Sequence, residues 1–153
     1  MTSDFDEMVD RLNAEVMAEM QRTYSGTVID HSMNPRNLGR IEEADGHAKI
    51  TGPCGDTMEM YLRIRNDTIT CATFMTDGCG TSIASGSMVT EMVKGRAVRQ
   101  ALRITENEVL EALGGLPPSD EHCALLAATT LRAAVGDYLE SKGQPWKRLY
   151  KTG

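Results

Sequence analysis

An alternating stretch between residues 57 and 76 constrains the fold more than any other part of the chain. Apolar residues take every second position from Met58 to Ile64, and after the pair Asn66-Asp67 the alternation resumes at Thr68-Ile69-Thr70-Cys71. Such alternation indicates half-buried strands. Asn and Asp both tolerate the positive φ angles that a two-residue hairpin turn requires. The sequence therefore predicts a β-hairpin with Asn66 and Asp67 at its tip.

The turn also predicts which residues of the two strands pair. It places Leu62 opposite Cys71 and, when the strands are extended outward, Cys54 opposite Cys79. The Cβ atoms of directly opposed residues lie roughly 4.5–5.5 Å apart, so two thiolates placed there could share a metal centre. Cys71 falls in mid-strand on the apolar face. We expect it in the core, because free cysteine packs as a small hydrophobe.

Helical patterns flank the hairpin. The predicted elements are a helix over 4–21, a short helix over 24–33, a strand over 47–50, the hairpin, a helix after Cys79, short helices over 97–104 and 105–113, and a long helix over 120–141. The first helix is amphipathic, and its apolar face is typical of a core element or a dimer seam. These elements form one domain over residues 1–153, with an N-terminal helix within 1–22 and a solvated tail over 144–153.

Two cysteines are expected at the starts of helices. Cys79 lies just before one helix, for which Thr81-Ser82 offers a hydroxyl cap, and His122 and Cys123 lie in the first turn of the long helix. The positive end of a helix favours the thiolate. The sequence therefore predicts a lowered pKa for both thiols.

Composition excludes several classes of function. The 153 residues carry a net charge of −6, which argues against nucleic acid as a general partner. No apolar run approaches the length of a membrane span. The acidic N-terminus lacks the apolar core of a secretory signal, so we expect a reducing cytoplasm. There the four cysteines are expected to be metal-binding, catalytic or structural rather than disulfide-paired.

One constellation is suited to metal chemistry, namely Cys54, Asp56, Cys79, His122 and Cys123. The cysteines do not form the C-x-x-C pairs of a structural zinc finger, and their spacing alone is a weak signal. Their context is stronger, because each lies at the end of a predicted element beside glycine, aspartate or histidine. A domain that holds no metal remains an alternative at this point.

Several motifs resemble the IscU/NifU N-terminal family of iron–sulfur cluster assembly scaffolds. They are Asp30-His31 with Asn34-Pro35-Arg36-Asn37, Pro53-Cys54-Gly55-Asp56, Gly78-Cys79-Gly80, Thr90-Glu91 with Val93-Lys94-Gly95, and Leu116-Pro117-Pro118 with His122-Cys123. The resemblance covers roughly residues 24–141 and follows the order of the family. It implies an α+β fold in which helices pack on a three-stranded antiparallel sheet.

The resemblance also implies a function. Members assemble a [2Fe-2S] cluster from iron and from sulfur that a cysteine desulfurase delivers, and they pass the cluster to apo-proteins. By this resemblance Cys54, Cys79 and Cys123 are the cluster cysteines, and Asp56 and His122 match the aspartate and histidine of the site. The fourth ligand can be Asp56, His122 or an outside group. Such a protein is an assembly scaffold rather than an enzyme.

Other features of the family bear on the details. Cys123 matches the cysteine regarded as the persulfide acceptor, Asp56 matches a residue linked to cluster lability, and zinc can take the cluster-free site. Ser119 and Asp120 replace a Val-Lys pair that docks an Hsp70-type chaperone, which makes that partner doubtful. The alternative is a SufU-like, zinc-dependent sulfur acceptor, but the chain lacks that subgroup's insertion between the second and third cysteines. A homodimer that shields a bound cluster is also left open.

Overall fold

The computed structural model describes residues 3–143, so the tail predicted over 144–153 lies outside the described residues. The helices are α1 (Asp4–Thr23), α2 (Gly26–Met33), α3 (Gly80–Val93), α4 (Val98–Ala101), α5 (Glu106–Leu113) and α6 (Glu121–Gly143). The strands are β1 (Gly46–Thr51), β2 (Thr57–Arg65) and β3 (Thr68–Thr76). A single 3₁₀ turn, Pro118–Asp120, leads into α6.

The three strands form one antiparallel sheet in the order β1-β2-β3. Helix α6 packs on β1 and β2, α3 packs on β3 and on α6, and α2 packs on α3. The core lies between the sheet and these helices, and its largest fully buried side chains are Phe74, Met58, Met60, Leu62, Ile69, Ile104, Leu113 and Leu131. The predicted α+β architecture is confirmed.

The predicted hairpin turn is also confirmed. Asn66 and Asp67 both have positive φ angles, 52° and 57°, which is the conformation of a type I′ turn. The carboxylate of Asp67 accepts hydrogen bonds from Tyr138 at 2.7 Å and from Lys142 at 2.7 and 2.8 Å. The tip of the hairpin is therefore fastened to the last turns of α6.

The predicted register holds only at the tip. Ile64 pairs with Ile69, but Leu62 pairs with Ala72 rather than with Cys71, because Thr70 is an extra residue in β3. This bulge shifts the later residues of β3 by one position, which moves them to the opposite face. Cys71 is consequently half-buried on the face away from the core. Its prediction as a core residue was wrong.

The predicted pairing of Cys54 with Cys79 was also wrong, because the ladder stops before it reaches them. Its last pair joins Met58 to Thr76. Cys54 lies instead in the loop that joins β1 to β2, where Gly55 has a φ of 88° and the amide of Gly52 donates to the carbonyl of Asp56 at 2.8 Å. The loop and Cys79 nevertheless lie at the same end of the sheet.

Helix α1 spans the predicted region. The Ser3 hydroxyl caps it by accepting from the amide of Asp6 at 3.1 Å. Within the described residues no α1 side chain is buried, and an apolar stripe that includes Phe5, Met8, Leu12 and Val16 is exposed. The stripe is therefore not part of the core seen here, and the dimer seam remains a prediction. Nowhere in residues 3–143 is a helix long and apolar enough to cross a membrane.

Close contact between α3 and the sheet requires glycine at position 86. A Cβ atom there would lie 2.5 Å from the buried ring of Phe74, whereas a Cβ at Gly136 in α6 would have nothing within 4 Å. We expect Gly86→Ala to lower the free energy of unfolding by about 1–3 kcal/mol through overpacking. Gly136→Ala should raise it by about 0.5–1 kcal/mol, because alanine is the better helix former. Thermal unfolding measures both variants.

If Gly86→Ala were as stable as the unmodified protein, the close approach of α3 to Phe74 would be contradicted. The Gly136→Ala variant shows in the same experiment what a glycine-to-alanine change does to a helix when space is free.

Candidate metal centre

Three segments meet at the end of the sheet where β3 stops. They are the loop Gly52–Asp56, the first turn of α3 and the first turn of α6. Cys79 is the N-cap residue of α3, as predicted. His122 and Cys123 lie in the first turn of α6, also as predicted. The sequence positions are far apart, and packing of both helices on one sheet face brings them together.

One group of side chains has the geometry of a metal site. A carboxylate oxygen of Asp56, a ring nitrogen of His122 and the sulfur of Cys123 all lie within 4.8 Å of one another. The Nε2 atom of His122 is 3.6 Å from the sulfur of Cys123. Asp56 and His122 are half-buried, and Cys123 is fully buried. Zinc accepts this combination of oxygen, nitrogen and sulfur ligands, so the donor set fits a metal ion.

Cys79 is connected to this group through Thr81. The Thr81 hydroxyl oxygen lies 3.0 Å from the sulfur of Cys79 and 3.4 Å from the sulfur of Cys123. The Ser82 hydroxyl oxygen lies 3.4 Å from the sulfur of Cys123 and 4.0 Å from that of Cys79. Two of the three predicted cluster cysteines therefore contact the same pair of hydroxyls.

Cys54 lies on a loop, whereas the other two predicted cluster cysteines lie at helix starts. It is exposed on the loop between β1 and β2, two residues before Asp56, and the compact group of ligand atoms found among residues 3–143 does not include it. The loop passes α6, since a Cβ at Gly52 would lie 3.7 Å from the side chain of Leu126. The loop that carries Cys54 therefore packs beside α6, the helix that carries Cys123.

The two helix-start thiols have opposite pKa shifts. Burial raises the pKa of Cys79, but hydrogen bonds from the Thr81 hydroxyl and from the Ser82 and Thr81 backbone outweigh it and leave that pKa below its ordinary value. Burial dominates at Cys123 and raises its pKa in spite of the hydrogen bonds from Ser82 and Thr81. The predicted lowering is confirmed for Cys79 and wrong for Cys123, because Cys123 is fully buried.

The hydroxyls that line the centre were not predicted. Thr81-Ser82 was expected to cap α3, whereas in the structure these hydroxyls contact the sulfurs of Cys79 and Cys123, and that of Ser82 also contacts Asp56. Tyr24 was not predicted either, and its hydroxyl donates to Asp120 at 3.4 Å beside the start of α6. Thr81 and Ser82 could have been found from the sequence, because they follow Cys79 almost directly. No comparable signal marks Tyr24, because it lies in the link between α1 and α2 and tertiary packing brings it to Asp120.

Comparison with known proteins identifies the family. The sequence profile of the NifU-like N terminal domain matches residues 23–145. The chain belongs to this family. Helix α1 lies almost wholly before the matched region.

Close relatives carry names that agree with this assignment. The iron-sulfur cluster assembly scaffold protein IscU 1 of Archaeoglobus fulgidus is 48% identical over 122 residues, which cover 79% of this chain and 80% of that protein. The IscU scaffold protein of Aquifex aeolicus is 44% identical, with 82% of each chain covered. That of Azotobacter vinelandii is 42% identical and covers 78% of this chain and 97% of the relative.

Solved structures share the fold. The NifU-like N-terminal protein of Brucella abortus superposes with a TM-score of 0.61 at 20% identity, covering 76% of this chain and 94% of that one. A putative scaffold protein for the SUF system from Fervidobacterium islandicum gives a TM-score of 0.63 at 23% identity, covering 73% and 96%. At these identities the likeness establishes the three-stranded α+β fold alone.

The pKa shifts predict different thiol reactivities in metal-free protein. The thiolate is the reactive form, so a raised pKa and burial should both slow alkylation of Cys123, while a lowered pKa and exposure should speed that of Cys79. We expect iodoacetamide to modify Cys123 several-fold more slowly than Cys79 near neutral pH. Peptide mass spectrometry after timed quenching measures both rates.

Unfolding in urea provides the control, because both cysteines should then react at similar rates. Equal rates in the folded protein would contradict the burial of Cys123.

Proposed function

We propose that this protein is a scaffold on which a transient [2Fe-2S] cluster is assembled from iron and from desulfurase-derived sulfur, and from which the cluster passes to apo-proteins. The observation that carries the proposal is the gathering of Asp56, His122 and Cys123 within 4.8 Å, with Cys79 joined to Cys123 through Thr81. The names of the close relatives support it. The protein then acts as a carrier of its cargo, not as an enzyme.

The donor set suits a cluster that must leave again. Thiolates are the usual ligands of iron–sulfur clusters, and Cys54, Cys79 and Cys123 supply three. The fourth ligand then comes from Asp56, His122 or an outside group, and a carboxylate is a harder ligand that suits iron–sulfur bonding less well. A site that combines three thiolates with a different fourth ligand therefore favours release of the cluster over permanent storage.

Sulfur delivery assigns a second role to Cys123. Its thiolate attacks the outer sulfur of the desulfurase persulfide, so that a new S–S bond forms at Cys123 and the desulfurase cysteine leaves as thiolate. Reduction of each transferred sulfur to sulfide takes two electrons, which an external electron donor must supply. Cys123 is fully buried. The residues packed around it therefore have to move and expose its sulfur before the desulfurase can transfer sulfur to it.

We propose that cluster assembly and transfer take place in the cytoplasm. All four cysteines are free in the structure, as expected where thiols are kept reduced. The cysteine desulfurase and the apo-protein acceptors are the proposed partners.

A second candidate function is a zinc-dependent sulfur acceptor that assists the desulfurase. The specific observation in its favour is that Asp56, His122 and Cys123 form a compact oxygen, nitrogen and sulfur set of the kind zinc accepts. In that case zinc stays in the purified protein and desulfurase turnover rises on addition of the zinc-loaded form. Metal analysis of oxygen-protected protein, together with a turnover assay, separates the two candidates.

Cysteine variants test the scaffold function. In anaerobic reconstitution with ferrous iron, cysteine, a desulfurase and a reductant, the unmodified protein should develop visible cluster absorbance. Cys54→Ser, Cys79→Ser and Cys123→Ser should each lose most of it, because a hydroxyl is a poor substitute for a thiolate ligand. Cys71→Ser is the matched control and should load normally, since Cys71 lies on the opposite face of the sheet from the core.

Full loading of any one of the first three variants would remove that cysteine from the proposed ligand set. Loss of loading in folded Cys71→Ser would show that the site extends to the other face of the sheet.

Cluster transfer tests the role of Asp56. We expect Asp56→Ala to slow transfer to an apo-ferredoxin severalfold, because the variant loses the hard oxygen ligand that makes the cluster easier to release. Circular dichroism of the acceptor cluster follows the rate. Unchanged transfer kinetics would exclude Asp56 from the release step.

A further inference from the structure

We infer that Ser82 is a positioning residue that ties Asp56 to Cys123 and holds both side chains where a metal can bind them. The inference rests on the proposed function in one respect, namely that Asp56 and Cys123 are ligands. Ser82 itself donates no ligand atom and lies outside the cysteine motifs. Its role is to position the side chains of Asp56 and Cys123.

Three chain segments converge on the Ser82 hydroxyl. Ser82 lies in the first turn of α3 and is fully buried. Its hydroxyl donates to the Oδ2 atom of Asp56, from the β1–β2 loop, at 3.1 Å, and its oxygen lies 3.4 Å from the sulfur of Cys123 in α6. This one atom therefore links the loop to the starts of both helices.

The Ser82 hydroxyl is placed to hold both candidate ligands. A serine hydroxyl has one proton to donate and lone pairs with which to accept. That proton can be donated either to the Oδ2 atom of Asp56 or to the sulfur of Cys123, so one donor serves both side chains. Alanine at this position would leave Asp56 without this donor and would break the link between the two ligands.

The packing of Gly78 is independent support for this arrangement. A Cβ atom at Gly78 would lie 2.5 Å from the Ser82 hydroxyl oxygen and 3.0 Å from the Oδ2 atom of Asp56. The first distance is shorter than real Cβ contacts and the second is tighter than most of them, so the Ser82–Asp56 contact in this geometry requires glycine at position 78. The backbone before Cys79 thus leaves room for this hydrogen bond.

Other buried hydroxyls of α3 show what a purely structural role looks like. Ser85 donates to the carbonyl of Thr81 at 2.7 Å, and Thr90 donates to the carbonyl of Gly86 at 2.9 Å. Both bonds stay within the helix, as is common for serine and threonine in helices. Ser82 differs because both side chains that its hydroxyl contacts are candidate ligands.

A hydrogen-bond partner behind a ligand typically contributes about 10–100-fold to metal affinity. The test measures Co²⁺ binding to the full chain under anaerobic, reducing conditions by competition with a chelator. Ser82→Ala should weaken Co²⁺ binding by at least about tenfold and should alter the visible Co²⁺ spectrum at saturation, since Asp56 is no longer oriented. Ser85→Ala is the matched control, because it removes another fully buried serine hydroxyl of α3, and it should change neither quantity.

The Asp56→Ala background shows whether Ser82 acts through Asp56. If it does, most of the loss caused by Ser82→Ala should disappear in that background, because coupled residues are not additive. The same fold loss in both backgrounds would overturn the link. Ser82→Ala protein that unfolds at a lower temperature but binds Co²⁺ with unchanged affinity and spectrum would also overturn it.

The outcomes separate this inference from the proposed function. Failure of the unmodified protein to bind Co²⁺ would overturn both the proposed site and the role of Ser82. Binding that Ser82→Ala leaves unchanged would overturn the role of Ser82 alone. Binding that Ser82→Ala weakens, in a protein that neither assembles nor transfers a cluster, would support Ser82 and overturn the scaffold function.

Discussion

The packing of α3 and α6 on one face of the sheet is the interaction on which the site depends. Both helices lie very close to the strands, since a Cβ at Gly86 would be 2.5 Å from Phe74 and one at Gly46 would be 2.4 Å from the carbonyl oxygen of Ala134. Each helix begins at the end of the sheet where β3 stops. Cys79 and Cys123 are far apart in the sequence, but this packing brings both to the same pair of hydroxyls.

The site combines an exposed side with a buried one. Cys54 and Cys79 are exposed, whereas Cys123 is fully buried beneath Thr81 and Ser82. Under the proposed function, an incoming metal would meet the accessible thiols first, and the buried sulfur with Asp56 and His122 would complete the ligand set. In a low-dielectric environment each hydrogen bond to a ligand counts for more than it does in water. This gives the hydroxyls of α3 a part in the chemistry although they need not bind the metal themselves.

Much of this architecture could be predicted from the sequence, because local signals were strong. The Asn66-Asp67 turn, the alternating strands, the N-cap residues Ser3 and Thr105, and the placement of Cys79 before α3 all follow from neighbouring residues. The bulge at Thr70 could not be predicted in this way. Strict alternation from Ile69 would have placed Cys71 in the core. Because Thr70 is an extra residue in β3, the larger Phe74 is buried on the same face as Ile69 instead.

The details of the site were the least predictable part. The burial of Cys123, the Ser82–Asp56 bond and the approach of Tyr24 to Asp120 all arise from segments distant in the sequence. The motifs around the cysteines indicated the candidate site residues, and tertiary packing determined the environment of each one. The opposite pKa shifts of Cys79 and Cys123 illustrate this point, because both lie at helix starts and differ in burial.

X-ray absorption at the iron edge of anaerobically loaded protein tests the central claim most directly. If the fold gathers distant thiolates and a mixed fourth ligand around one cluster, the spectrum should show a sulfur-dominated iron shell, a second iron neighbour and a minor oxygen or nitrogen contribution. A shell of oxygen and nitrogen alone, without an iron neighbour, would indicate adventitious iron and would contradict the claim that these side chains form a site for a cluster.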